Sequence, residues 1–128
     1  MNVNQLPILG AEISGLDLSS DLTDSETLEI KNLLTENLVL IIKDQNLPPK
    51  DLVKISSLWG GAFEHPVFKG LEDTPEVLQI ENMGEQFHTN AHWHSDVTFE
   101  QKPPNVTLLY AIEVPEEGGN TLFSNQYL

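Results

Sequence analysis

Residues 38–42, Leu-Val-Leu-Ile-Ile, form an unbroken apolar, β-branched run. Five residues are far short of the roughly 20 a membrane span needs, and the branched side chains favour extended backbone, so the run reads as a buried strand. What lies on either side narrows the fold further. Thr23 and Glu26 have the spacing of a capping box, and Ile30, Leu33 and Leu34 follow at helical intervals, so a helix begins at Thr23 and ends near Asn37. Residues 8–14 read as an earlier strand with a glycine break at Gly10. Pro48 and Pro49 open a second helix with Leu52, Ile55 and Trp59 on one face, and Gly60-Gly61 stops it. The chain thus mixes strands and helices, and an α+β class is expected.

Charge excludes whole classes of partner. Twenty acidic residues face six lysines, with no arginine, giving a net charge of −14. Such a surface repels nucleic acid and anionic membranes. There is no cysteine, hence no disulfide framework, zinc finger or thiol nucleophile. The first residues, MNVNQLP, have neither the basic nor the apolar region of a signal peptide. A cytoplasmic protein is expected, in which the Asn105-Val106-Thr107 sequon arises by chance.

From His65 the character changes. Residues 65–100 are rich in His, Asn, Pro and acids, with a short strand expected at 77–80, and read as loops around a site. Strands are expected again at 106–114 and 121–123, after which Ser124 or Asn125 has the chemistry of a helix cap. Three of the four histidines fall at 88, 92 and 94, followed by Asp96. In extended backbone alternate side chains share a face, so His92, His94 and Asp96 can point the same way. A His nitrogen and an Asp oxygen two residues apart can occupy neighbouring corners of one metal ion. With a second His from elsewhere they make a two-His-one-carboxylate triad, the donor set of non-haem Fe(II). H-x-D alone is a common pairing, and Trp93, just before His94, fits plain packing equally well.

The surrounding motifs are more specific. Trp93-His94-Ser95-Asp96-Val97-Thr98-Phe99, then Pro103-Pro104, then Gly118-Gly119-Asn120-Thr121 resemble the taurine dioxygenase (TauD/TfdA) family of Fe(II)- and 2-oxoglutarate-dependent oxygenases, with 25 residues from Asp96 to Thr121. Residues 10–18 are similar to the family's opening strand. The resemblance covers essentially the whole chain. It implies a double-stranded β-helix (jelly roll) core with flanking helices, and His94 and Asp96 as iron ligands. It implies that Thr121 holds 2-oxoglutarate, although by itself Thr121 reads as a β-branched strand residue. It places His65, Phe68 and Asn90 at the substrate, where loop structure is the competing reading for His65 and Asn90. Phe68 stands where members that take taurine have a Tyr. The implied activity is hydroxylation of a small, anionic, alkylsulfonate-like substrate by O₂, with 2-oxoglutarate converted to succinate and CO₂.

The family's distal His ligand and its 2-oxoglutarate-binding Arg have no counterpart in these 128 residues. The chain is therefore expected to be the N-terminal part of a single dioxygenase domain, 1–128, lacking the C-terminal half and inactive alone. The open edge along residues 106–114 would favour self-association into a homo-oligomer. Two other readings stay open. One is a jelly-roll binding module with an incomplete metal site. The other is a cupin-type metal enzyme, for which His92, His94 and Glu100 approximate the H-x-H…Glu pattern.

Overall fold

A computed structural model describes residues 1–81 and 92–127. They fall into two compact units, Met1–Leu47 with Tyr110–Leu128, and Pro48–Leu109.

The first unit is built on a three-stranded sheet, β1 (Asn2–Gln5), β2 (Ala11–Ser14) and β3 (Leu40–Ile42), in the order β1-β2-β3. β1 and β2 run antiparallel, with Val3 opposite Ile13; β2 and β3 run parallel, with Ala11 opposite Leu40 and Ile13 opposite Ile42. A parallel pair needs a crossover, and helix α1 (Asp24–Asn37) supplies it. β2 is the central strand and shows the period-two alternation of a half-buried sheet: Ala11 and Ile13 are fully buried, Glu12 and Ser14 are not. Leu16, Leu18, Leu47 and Ile30 of α1 complete the buried apolar set of this unit. Gly10 has φ +93°, and a Cβ there would stand 3.1 Å from the Val39 carbonyl oxygen. Glycine thus lets the backbone turn into β2 close against Val39, whose carbonyl accepts the Ala11 N–H at 3.0 Å.

α1 starts as the sequence indicates. The Thr23 hydroxyl accepts the Glu26 N–H at 3.2 Å, and the Glu26 carboxylate accepts the Thr23 N–H at 2.9 Å. The helix ends at Asn37, with Leu38 in the left-handed region at φ 66° and its N–H donating to the Leu34 carbonyl. Beyond β3, the side chain of Gln45 ties the chain together. Its amide donates to the carbonyls of Leu16 (2.7 Å) and Lys43 (2.6 Å), its oxygen accepts the Leu18 N–H (2.9 Å), and its backbone carbonyl accepts the Tyr110 hydroxyl (3.2 Å).

The second unit opens with α2 (Pro49–Ser56), which tightens into a 3₁₀ turn over Ser57–Trp59 and stops at Gly60. Ile55 of α2 is buried. The rest of this unit's described residues, 60–81 and 92–109, form neither helix nor strand.

Four expectations need correcting. β3 is shorter than residues 38–42 and is not buried: Ile41 is 42% exposed. It pairs on one side only among the described residues, and an edge strand keeps a wet face. The polar strand β1 was not expected, because ladder bonds rather than an apolar face hold it; all four residues are exposed. Residues 77–80, 106–114 and 121–123 are not strands. They have the β-branched composition, but a strand exists only against a partner, and none pairs with them among the described residues. Val77 instead closes a turn, its N–H donating to Thr74 and its carbonyl accepting from Leu71. Asn125 caps no helix among the described residues; its side chain accepts the Tyr127 N–H in a local turn. The α+β class stands.

Candidate functional site

His94 and Asp96 lie in the second unit, His94 in irregular backbone and Asp96 at the start of a turn. Val97 makes that turn, at φ 52°, with its carbonyl accepting the Glu100 N–H at 3.1 Å. A β-branched residue in the left-handed region is a strained one, at a cost of order 1–3 kcal/mol. The strain sits immediately after Asp96.

The two side chains face each other, with His94 Nε2 3.3 Å from Asp96 Oδ1 and both about half exposed. Each is also held from behind. His94 Nδ1 lies 2.8 Å from the His92 carbonyl oxygen. A carbonyl only accepts, so Nδ1 carries the proton, and in the neutral ring Nε2 presents a lone pair. Thr107 donates its hydroxyl to Asp96 Oδ2 at 2.8 Å, leaving Oδ1 turned to the imidazole. With the ring neutral, two lone pairs meet across 3.3 Å, an arrangement that a cation between them satisfies. Nitrogen and oxygen donors about 2.0–2.2 Å from one metal, at neighbouring corners, stand roughly 3 Å apart. The donor set and its spacing fit a divalent metal. A proton on Nε2 is the other way to satisfy the pair, but an exposed ion pair of that kind contributes only about 0–1 kcal/mol.

The remaining candidates fall into three groups. His65 and Phe68 are neighbours. His65 Nδ1 accepts the N–H groups of Val67 (3.1 Å) and Phe68 (3.0 Å), and its ring lies 4.8 Å from that of Phe68 and 6.2 Å, edge-on, from Phe99. Nδ1 is therefore the bare nitrogen, and Nε2 is left as an N–H donor. Phe99 belongs to the same motif as His94 and Asp96, so the His65 loop is packed against that motif. Thr121 lies in the first unit, exposed and not in a strand. Asn90, with His88, lies outside the described residues.

Other expectations resolve differently. His92 contributes its backbone carbonyl to His94, and its ring is tilted 5.7 Å from the His94 ring. Trp93 is 69% exposed, so it is not core packing. No group of three or more His, Asp or Glu able to hold a metal occurs among the described residues, His92 with Glu100 included. A shallow cleft in the same unit, bounded by Trp59, Phe63, Pro103 and Val106, does not include His94 or Asp96. Two contributors escaped the sequence reading. Phe99 stands inside the quoted motif but has no polar atom to mark it. Thr107 lies 11 residues past Asp96, with no periodicity joining the two.

Comparison with known proteins places these features. The family model for the taurine catabolism dioxygenase TauD, TfdA family matches residues 2–128. The chain is 33% identical to an alkylsulfatase of Acinetobacter baylyi over 91% of its length and 37% of the relative's. It is also 33% identical to an alpha-ketoglutarate-dependent sulfate ester dioxygenase of Pseudomonas putida, again over 91% of this chain and 38% of that one. A sulfonate dioxygenase of Saccharomyces cerevisiae, also alpha-ketoglutarate-dependent, is 28% identical over 97% of this chain and 34% of its own. The chain thus spans little more than a third of the length of these relatives. Among solved structures, a Burkholderia xenovorans protein described as an alpha-ketoglutarate-dependent taurine dioxygenase superposes with a TM-score of 0.53 at 33% identity, over 58% of this chain and 27% of that one. No helix among the described residues is long and apolar enough to cross a membrane. With the family model matched over nearly every residue and the H-x-D pair face to face, the chain belongs to the TauD, TfdA dioxygenase family.

Proposed function

We propose that this chain is the N-terminal part of a single jelly-roll dioxygenase domain, working in the cytoplasm, that hydroxylates a small organic sulfonate or sulfate ester. The observation that carries the reading is the His94–Asp96 pair, two donors converging at 3.3 Å with their far sides already engaged. His94 Nε2 and Asp96 Oδ1 would hold Fe(II), with a third protein ligand and an arginine for 2-oxoglutarate coming from the rest of the domain. Bound Fe(II), with 2-oxoglutarate and O₂, supplies the oxidising power for C–H hydroxylation.

This chain's own residues do the positioning. The His92 carbonyl holds the His94 ring in the tautomer that offers Nε2. Thr121 is assigned to 2-oxoglutarate through its hydroxyl. His65 offers its Nε2–H to the anionic group of the substrate, while Phe68 and Phe99 flank its ring and give the substrate chain an apolar wall. Asn90 is a further substrate contact. The substrate class is supported by the names of the relatives, which act on sulfate esters and sulfonates. A phenylalanine at 68 suits an apolar alkyl chain better than a small polar amine.

The test is a succinate-release assay on the full-length protein with Fe(II) and 2-oxoglutarate, across alkyl sulfates, alkylsulfonates and taurine. Turnover of an alkyl sulfate or sulfonate above taurine is expected. No succinate release with any of them overturns the substrate reading, and no Fe(II) binding overturns the metal site.

A further inference from the structure

We propose that Thr107 is a positioning residue for Asp96, making its carboxylate a one-oxygen ligand; this rests on the metal reading above. A free carboxylate can grip a metal through both oxygens, which would use one more coordination position. Here Oδ2 already accepts the Thr107 hydroxyl at 2.8 Å, and Oδ1 is the oxygen that faces His94 Nε2. The bond also fixes the carboxylate's rotation, since Oδ2 cannot swing toward the imidazole without losing it. Asp96 is about half exposed and follows no helix or strand, so its own backbone does little to limit that rotation. Partners behind a ligand typically change metal affinity by about 10–100-fold when removed. The Asp96 partner is the exposed hydroxyl of a loop residue, so the lower end applies.

The experiment compares Co(II) binding and its visible spectrum in the full-length, metal-free protein and in Thr107→Val, Thr107→Ser, His94→Ala and Asp96→Ala variants. Valine keeps the branched shape and removes the donor; serine keeps the donor. Co(II) affinity should fall about tenfold in Thr107→Val, with weaker d–d absorption as the carboxylate adds its second oxygen. Thr107→Ser should restore both. If His94→Ala and Asp96→Ala abolish binding while Thr107→Val leaves affinity and spectrum unchanged, Thr107 has no such role. If His94→Ala and Asp96→Ala leave Co(II) binding intact, the metal reading fails first and takes the Thr107 assignment with it. Weakened binding in Thr107→Val that serine does not restore assigns the effect to packing and also overturns the proposal.

Discussion

His65 combines two roles that substitution can separate. Its Nδ1 accepts two backbone N–H groups, from Val67 and Phe68, and its Nε2–H is the atom offered to substrate. An Asn side chain places an acceptor where Nδ1 was but offers nothing where Nε2 was; a Gln side chain does the reverse. Each neutral hydrogen bond contributes about 0.5–1.5 kcal/mol net. Val67 and Phe68 are exposed, so water replaces a lost partner and the lower half of that range applies. Amide exchange at Val67 and Phe68 should therefore quicken by roughly 2–5-fold in His65→Ala and in His65→Gln, and hardly at all in His65→Asn. Affinity should sort the other way. A hydrogen bond to a charged group contributes about 1.5–3 kcal/mol, so His65→Asn should weaken binding of an alkyl sulfate about 10–100-fold, with His65→Gln recovering part of the loss. Hydrogen exchange read by NMR and calorimetric titration of the full-length protein measure the two effects. If His65→Asn binds as tightly as the parent, the Nε2–H has no substrate role. If its amides exchange as fast as those of His65→Ala, the turn is not held through Nδ1.

Other expected outcomes concern the first unit. Thr23→Ala removes one side of the capping box and should cost about 0.5–2 kcal/mol in chemical denaturation. Hydrogen bonds from the Thr23 backbone and hydroxyl hold the Glu26 carboxyl below its ordinary range, and those from Ser19 and Ser20 do the same for Asp17. A lowered folded pKa means stability that is present above the unfolded value, near pH 4, and is lost as pH falls through the folded one; Glu26→Gln should flatten that acid slope while keeping an acceptor for the Thr23 N–H. Ile30→Ala empties a fully buried site and should cost about 2–5 kcal/mol, whereas Leu28→Ala, at a side chain 60% exposed two residues earlier in the same helix, should stay near neutral in the same denaturation curves. Leu38→Gly relieves a left-handed leucine at the C-cap of α1 and should raise stability by about 1 kcal/mol, read as a higher melting temperature.

Local chemistry was legible in the sequence, and long-range pairing was not. The Thr23–Glu26 box, the end of α1 near Asn37, the opening of α2 at Pro49 and the stop at Gly60 each depend on a few neighbouring residues, and all are found where their chemistry places them. His94 and Asp96 are two residues apart, so their convergence is also a local matter. Residues 106–114 show the opposite case. Their apolar, branched composition says what they would do beside a partner strand and nothing of whether one is there. Thr107 was invisible for the same reason, because its hydrogen bond to Asp96 spans 11 residues of irregular chain. Gln45 carries no local signal either, yet it bonds to Leu16 and Leu18 nearly 30 residues earlier.

The two supports behind His94 and Asp96 differ in how mutation can reach them. The imidazole leans on the carbonyl of residue 92, an atom that every amino acid possesses. Almost any side chain at 92 preserves it, and His92→Ala should leave the His94 tautomer as it is. The carboxylate leans on a hydroxyl that only a few residue types carry. A single base change at codon 107 can delete it. The histidine's setting is thus fixed by the path of the backbone, while the aspartate's is adjustable. Across descendants of this sequence, the metal's environment can drift on the carboxylate side while the imidazole side holds still.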